Sequence, residues 1–168
     1  MFKTRKARPD ALPTLADRAC SSSEVARIAD VSLRQLQWWD EQKVVSPRHE
    51  GHRRVYAPAE VVEIAVIAEL RRKGFSLQKI RRVLRFLQRE MGKRVADVLS
   101  GACDMHLLTD GKSIYLEDSE SRVIDVLKGA KQAMFLVCVS DQARRLHVLL
   151  KKPVRSETGV PARRSRAL

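Results

Sequence analysis

Aromatic residues are scarce in this chain: they make up 5% of its 168 residues, although 44% are hydrophobic. The core must therefore be built from aliphatic side chains, and the few large rings stand out where they cluster, as at Trp38-Trp39. Long apolar runs are missing as well. No stretch approaches the roughly 18 residues that a bilayer-spanning helix needs. The opening MFKTRKARPDALP is basic but lacks the apolar run of a signal peptide. A soluble, cytoplasmic protein with no membrane partner is expected.

Cysteine is rare and unpaired in its spacing. Cys20, Cys103 and Cys138 make an odd count, which argues for reduced thiols over a disulfide framework. Cys103-x-x-His106, with Cys138 as a third ligand, has the loose spacing of half a metal site, but no second pair completes it. Buried thiols are the simpler expectation, so no metal and no cofactor are predicted. The sequence also lacks G-x-S-x-G, a P-loop and H-E-x-x-H. The acidic run Glu117-Asp118-Ser119-Glu120 has no His or Lys beside it and is read as a solvated turn. An enzyme is not expected.

Negative charge is in short supply: 20 acidic residues stand against 33 Lys and Arg, a net charge of +13. Such a field favours polyanions. It is unevenly spread. Residues 1–20 carry a net +3, residues 21–92 a net +5, residues 93–150 eight basic against eight acidic, and residues 151–168 a net +5. Four segments are predicted on this basis: a flexible basic arm (1–20), a basic folded part (21–92), a neutral module (93–150) and a disordered basic tail (151–168) able to add salt-sensitive DNA affinity.

Within the basic part, Ser23 is a candidate N-cap for a helix Glu24–Ala29, with Val25 and Ile28 on one face. Asp30-Val31-Ser32 breaks the pattern, and Ser32 then caps a second helix, roughly Leu33–Lys43. Leu33, Leu36 and Trp39 are expected inside; Arg34, Gln35, Gln37 and Trp38 are left outside. Two short helices joined by a tight turn form a helix-turn-helix. Arg and Gln on its second helix are side chains that hydrogen-bond guanine and adenine edges. Next come an extended exit, Val44–Pro47, and a basic loop, Arg48–Arg54, returning as a short strand at Val55-Tyr56. This is a wing whose Arg48, His52, Arg53 and Arg54 can reach phosphates or a minor groove.

Pro58 then begins a largely apolar helix that Gly74 ends. Ser76 caps another, in which Leu77, Ile80, Leu84, Leu87 and Met91 repeat at spacings of 3, 4, 3 and 4. That seam packs on its own domain, or pairs with a second subunit through Leu84, Leu87 and Met91.

At this point Ser22–Leu87 resembles the mercury-resistance regulator (MerR) family of winged-helix transcription factors. The matching pieces are SSEVARIADVSLRQLQWWDEQKVVSP and GHRRVYAPAEVVEIAVIAELRRKGFSLQKIRRVL, over about 40% of the chain. The resemblance implies that Ser32, Arg34, Gln37 and Trp38 lie on or beside the recognition helix at the DNA. It matches Arg54 to the wing arginine and Tyr56 to the aromatic that closes the wing. There are departures. Gln37 stands where many members have Arg, and Trp38-Trp39 replaces a Tyr pair. His52 falls in the glycine slot and Arg53 in the aromatic slot, unless the loop is one residue longer after Gly51. Typical members dimerise through a long C-terminal helix, sense a metal, drug or oxidant beyond it, and activate by untwisting an over-long promoter spacer. Here Gly92 and Ser100-Gly101 interrupt such a helix.

In the neutral module a short helix Arg94–Leu99 is expected, then a hairpin turning at Asp110-Gly111, a helix Arg122–Leu127, a buried strand Ala133–Val139, and a last helix Asp141–Leu150 capped by Ser140. The fold class is mainly α: an N-terminal winged helix-turn-helix with a dimerisation helix, then a small α/β module. The expected function is a sequence-specific regulator acting as a homodimer on double-stranded DNA and nucleoid-associated, with RNA polymerase or another protein meeting the 93–150 module. Two alternatives are an excisionase-like protein that bends DNA, and an antitoxin-like repressor whose module holds a protein partner.

Overall fold

The computed structural model describes residues 18–92 and 94–151. The front half runs β1 (Cys20–Ser21), α1 (Ser22–Ala29), α2 (Leu33–Glu41), β2 (Arg48–Glu50), β3 (Arg53–Tyr56), α3 (Pro58–Arg72) and α4 (Leu77–Met91). The back half runs α5 (Val95–Ser100), β4 (His106–Thr109), β5 (Ile114–Glu117), α6 (Glu120–Gly129), β6 (Phe135–Cys138) and α7 (Val139–Lys151). Two antiparallel three-stranded sheets result, ordered β1-β3-β2 and β5-β4-β6. The mainly α class with a small α/β part holds. Among the described residues no helix is long and apolar enough to cross a membrane.

Local chemistry sets the helix starts. α1 begins two residues earlier than Ser23 suggests, because the capping box needs its acid three residues after the cap. Ser21 Oγ accepts from Glu24 N at 3.3 Å, and Glu24 Oε2 accepts from Ser21 N at 2.9 Å. Ser32 and Ser76 cap α2 and α4 as expected. Pro58 opens α3 at its first turn, and Glu60 accepts the Ala57 amide at 2.7 Å. Cys20 does not belong to an arm. It pairs with Tyr56 in the first sheet and is buried, and burial pushes its thiol up to about 11. Residues 1–17 and 152–168, expected as arm and tail, lie outside the described residues.

The β4–β5 hairpin closes through four residues instead of a two-residue Asp-Gly turn. Asp110 Oδ1 accepts from the Lys112 and Ser113 amides at 2.7 and 2.6 Å, which holds its carboxyl below the usual range. Thr109 Oγ1 accepts from Gly111 N, which sits at φ +89°. The predicted buried strand is shorter and only half buried: Val137 is inside, and Leu136 is 50% exposed. Its register explains this. Phe135 and Val137 share the core face with Leu107 and Thr109, whereas Leu136 stands with Leu108 and Tyr115 on the other face. α7 follows β6 with no loop, so Ser140 lies inside the helix and not at its cap.

One buried cluster runs from Cys20 to Leu150 through both halves. α7 returns to pack on α1, α3 and α5. Phe75, between α3 and α4, meets Phe135 of β6 edge-to-face with centroids 5.1 Å apart. This packing answers the question left by the seam of α4. Leu84, Leu87 and Met91 are buried within the single chain, with α4 against α3 and β5. Within the single chain, then, these three side chains serve the protein's own core.

Candidate nucleic-acid interface

The helix-turn-helix corner is held from below by arginines. α1 ends at Asp30, a non-glycine residue with φ +53°, whose strained conformation turns the chain toward α2. Arg72, at the end of α3, donates to the carbonyls of Ala29 at 2.8 Å and Asp30 at 3.0 Å. Arg81 of α4 donates to Gln42 O at 2.5 Å, just past the end of α2. Helix C-termini leave carbonyls without partners and carry partial negative charge, so a guanidinium is an apt cap. Both ends of the corner are thereby pinned to the helices beneath it. Leu36 and Trp39 supply the buried side of α2.

The outer side of α2 carries Arg34, Gln37 and Trp38, all exposed and spaced three or four apart on one stripe. Gln37 Nε2 donates to Glu41 Oε1 at 2.8 Å along the same stripe. Leu33, expected inside, is 54% exposed, because the Ser32 cap places the first helical position on the outer side. Ser32 and Gln35 are largely engaged with each other. Gln35 N donates to Ser32 Oγ at 3.1 Å and Ser32 N to Gln35 Oε1 at 2.9 Å. Gln35 keeps its NH₂ for an outside acceptor, but its main local role is to close the helix.

The wing is a true hairpin. Arg48 pairs with Val55, His49 with Arg54 and Glu50 with Arg53, around Gly51-His52. Gly51 has φ +61° and His52 does not, the pattern of a type II′ turn. The turn places exposed His52 and Arg53 at the tip. Arg48 is exposed at the base and paired with Glu50 at 2.6 Å. Arg54 differs from the other three. Its Nε donates to Asp40 Oδ2 at 2.7 Å, and that bond raises its pKa further above the ordinary guanidinium value. His49 Nε2 also lies 3.2 Å from Asp40 Oδ2. Asp40, buried in the last turn of α2, thus staples both wing strands to the recognition helix. Tyr56 closes the wing from inside, and its hydroxyl is buried with no hydrogen-bond partner among the described residues.

Arg34, Gln37, Trp38, His52 and Arg53 are therefore brought out on an exposed helix stripe and hairpin tip, while Ser32, Gln35 and Arg54 serve the corner's own geometry. Asp40, His49, Arg72 and Arg81 carry roles that sequence reading missed. For Asp40 a signal existed, since it sits one turn after the exposed stripe in an otherwise apolar slot beside Trp39. His106 and Cys138 stand opposite each other in the second sheet, with the His106 Nδ1 buried and unbonded. Cys103 instead packs against the main core. Among the described residues no three such side chains gather to hold a metal.

Residues 20–87 match the model of the MerR HTH family of regulatory proteins. An uncharacterized HTH-type transcriptional regulator of Mycobacterium bovis is 27% identical over 125 residues, covering 71% of this chain and 52% of its own length. A counterpart from Mycobacterium tuberculosis gives the same figures. The chain spans about half the length of these curated relatives. A crystal structure of a MerR-family transcriptional regulator from Bacillus cereus aligns with TM-score 0.37 and 18% identity, covering 79% of this chain and 97% of that one. Over residues 20–87, then, the chain is similar to the MerR HTH family of regulatory proteins.

Proposed function

We propose that this chain is a sequence-specific DNA-binding transcriptional regulator that acts as a homodimer on a pseudo-palindromic operator. The observation that carries this reading is the pinned corner. α2 presents Arg34, Gln37 and Trp38 outward while Asp40, Arg72 and Arg81 fix the helix and the wing behind it. A preorganised recognition helix spends little binding energy on ordering. Arg34 reads a base edge in the major groove, with Gln37 beside it. Trp38 offers an indole N–H to a phosphate. His52 and Arg53 at the wing tip, with Arg48 at its base, track the backbone or the adjacent minor groove. Two copies place two such helices in successive major grooves, about 34–36 Å apart.

Genome-wide mapping of bound sites tests the proposal, with footprinting on the strongest site. An inverted repeat with half-sites one turn apart is expected at promoters. Enrichment without any inverted repeat would remove the dimeric operator model. Bending of DNA without change in transcription would favour the architectural reading.

A further inference from the structure

We propose that a second copy of this chain docks on the outer face of the second sheet, across β6 and the exposed flank of α6. This rests on the homodimeric reading above and gives it a surface. Three observations converge there. The first is apolar exposure. Seven large hydrophobic side chains are exposed among the described residues, and four of them, Tyr115, Ile124, Leu127 and Leu136, belong to β5, α6 and β6. Tyr115 and Leu136 flank Leu108 on the face turned away from the main core; Leu108 itself is fully buried, so the open part of that face is its two outer strands. α6 packs on β5, with Val123 buried, and Ile124 and Leu127 flank that buried position. A recess of mixed character, lined by Tyr115, Val126 and Met134 but also by Asp110, Asp125 and Lys131, adjoins the patch between α6 and the entry to β6.

The second observation is charge. Two copies of a +13 chain repel each other wherever basic surfaces approach. Residues 93–150 alone are balanced, with eight basic and eight acidic side chains, and Asp118 there already takes both Arg94 and Arg122. Contact between copies is least opposed at this segment. The third is the strand edge. Among the described residues β6 has one hydrogen-bonded neighbour, β4, so its other edge offers backbone groups to a strand from outside. Antiparallel pairing of β6 with its copy about a two-fold axis extends the sheet to six strands and brings Leu136 of each chain to the junction. The seam of α4, by contrast, is buried inside the single chain.

The test is the mass of the full chain in solution by light scattering and sedimentation, beside operator footprinting. Wild type is expected to be dimeric at micromolar concentration. Leu136→Asp, and separately Ile124→Glu with Leu127→Glu, are expected to be monomeric with unchanged circular dichroism and to protect half-sites with weaker affinity. Val148→Asp, exposed on α7, is expected to stay dimeric. If a charged variant fails to fold, Leu136→Ser serves instead, with dimer dissociation expected to rise about tenfold or more. Folded variants that remain as dimeric as wild type would overturn this surface and leave the homodimeric reading standing. A monomeric wild type that binds its operator as one copy would overturn both. A monomeric wild type in which Leu136→Asp keeps DNA binding but loses regulation would assign the face to another protein, and so overturn the proposal.

Discussion

Arg54 donates its Nε to Asp40 Oδ2 at 2.7 Å, joining the wing to the last turn of the recognition helix. The same oxygen lies 3.2 Å from His49 Nε2 on the opposite strand. Asp40 is therefore the pin that joins both wing strands to α2. Asp40→Ala leaves a part-buried guanidinium without its partner. A loss of about 1–3 kcal/mol in folding free energy is expected, measured by chemical denaturation. Operator affinity should fall further than stability alone explains, because the wing is freed. Unchanged affinity in a folded variant would mean that the wing does not touch DNA.

Arg34 and Arg81 make a contrasting pair, both basic and close in space to α2, with opposite expected phenotypes. Arg34→Ala should cost roughly 1–3 kcal/mol of operator binding and relax the preference at one base pair, with stability unchanged. Arg81→Ala removes the cap on Gln42 O and should lower the melting temperature while leaving the order of preferred bases intact. Binding to specific and random duplexes, side by side with thermal melts, separates the two. Equal losses on both duplexes for Arg34→Ala would reduce it to a phosphate contact.

Tyr56 is buried to its hydroxyl, which makes no hydrogen bond of good geometry among the described residues; burial raises its pKa, and the neighbouring Ser22 side chain lowers it in part. Removing an unsatisfied buried polar atom without changing the ring should be neutral or stabilising, by up to about 1–3 kcal/mol. Tyr56→Phe is therefore expected to melt no lower than wild type. A clear drop would mean that the hydroxyl has a partner in solution.

Glu63 on α3 accepts from Gln88 Nε2 at 3.0 Å, yet burial dominates and raises its pKa above the ordinary 4.5. A carboxyl raised on folding binds its proton more tightly in the native state. Its favourable contribution is fully present below pH 4.5 and is lost as pH rises through the raised native value. Above that window the ionised group carries a desolvation cost. Glu63→Gln should thus melt higher than wild type at pH 7, and the gain should vanish toward pH 4. Melting curves across that range check the sign.

Much of this was legible in the sequence. The helix pair and its turn followed from Ser32, the apolar spacing and the break at Asp30. The wing followed from a glycine within a basic run. Periodicity also marked Ile80, Leu84, Leu87 and Met91 as one face, but a face does not name its partner. The same seam suits a neighbouring helix of the same chain or of another, and its burial against α3 and β5 depends on distant parts of the chain. The arginines misled for a related reason. Arg18, Arg27, Arg72 and Arg81 count toward a basic total, yet each donates to a main-chain carbonyl at a helix end. Nothing in their local sequence separates a cap from a phosphate contact, since the acceptor is contributed by a distant element. Leu136 was placed inside by the apolar run around it, where strand alternation puts it outside.

The bond from Arg18 to Leu150 O spans 132 residues. During synthesis, the recognition corner leaves the ribosome early, and α7, which covers α1 and α3, leaves late. The corner's underside is thus exposed while the rest is being made. Contacts of such long sequence separation slow folding and prolong exposure of apolar surface. The corner should therefore reach its final packing only once α7 has emerged, as one event for both halves, and not domain by domain.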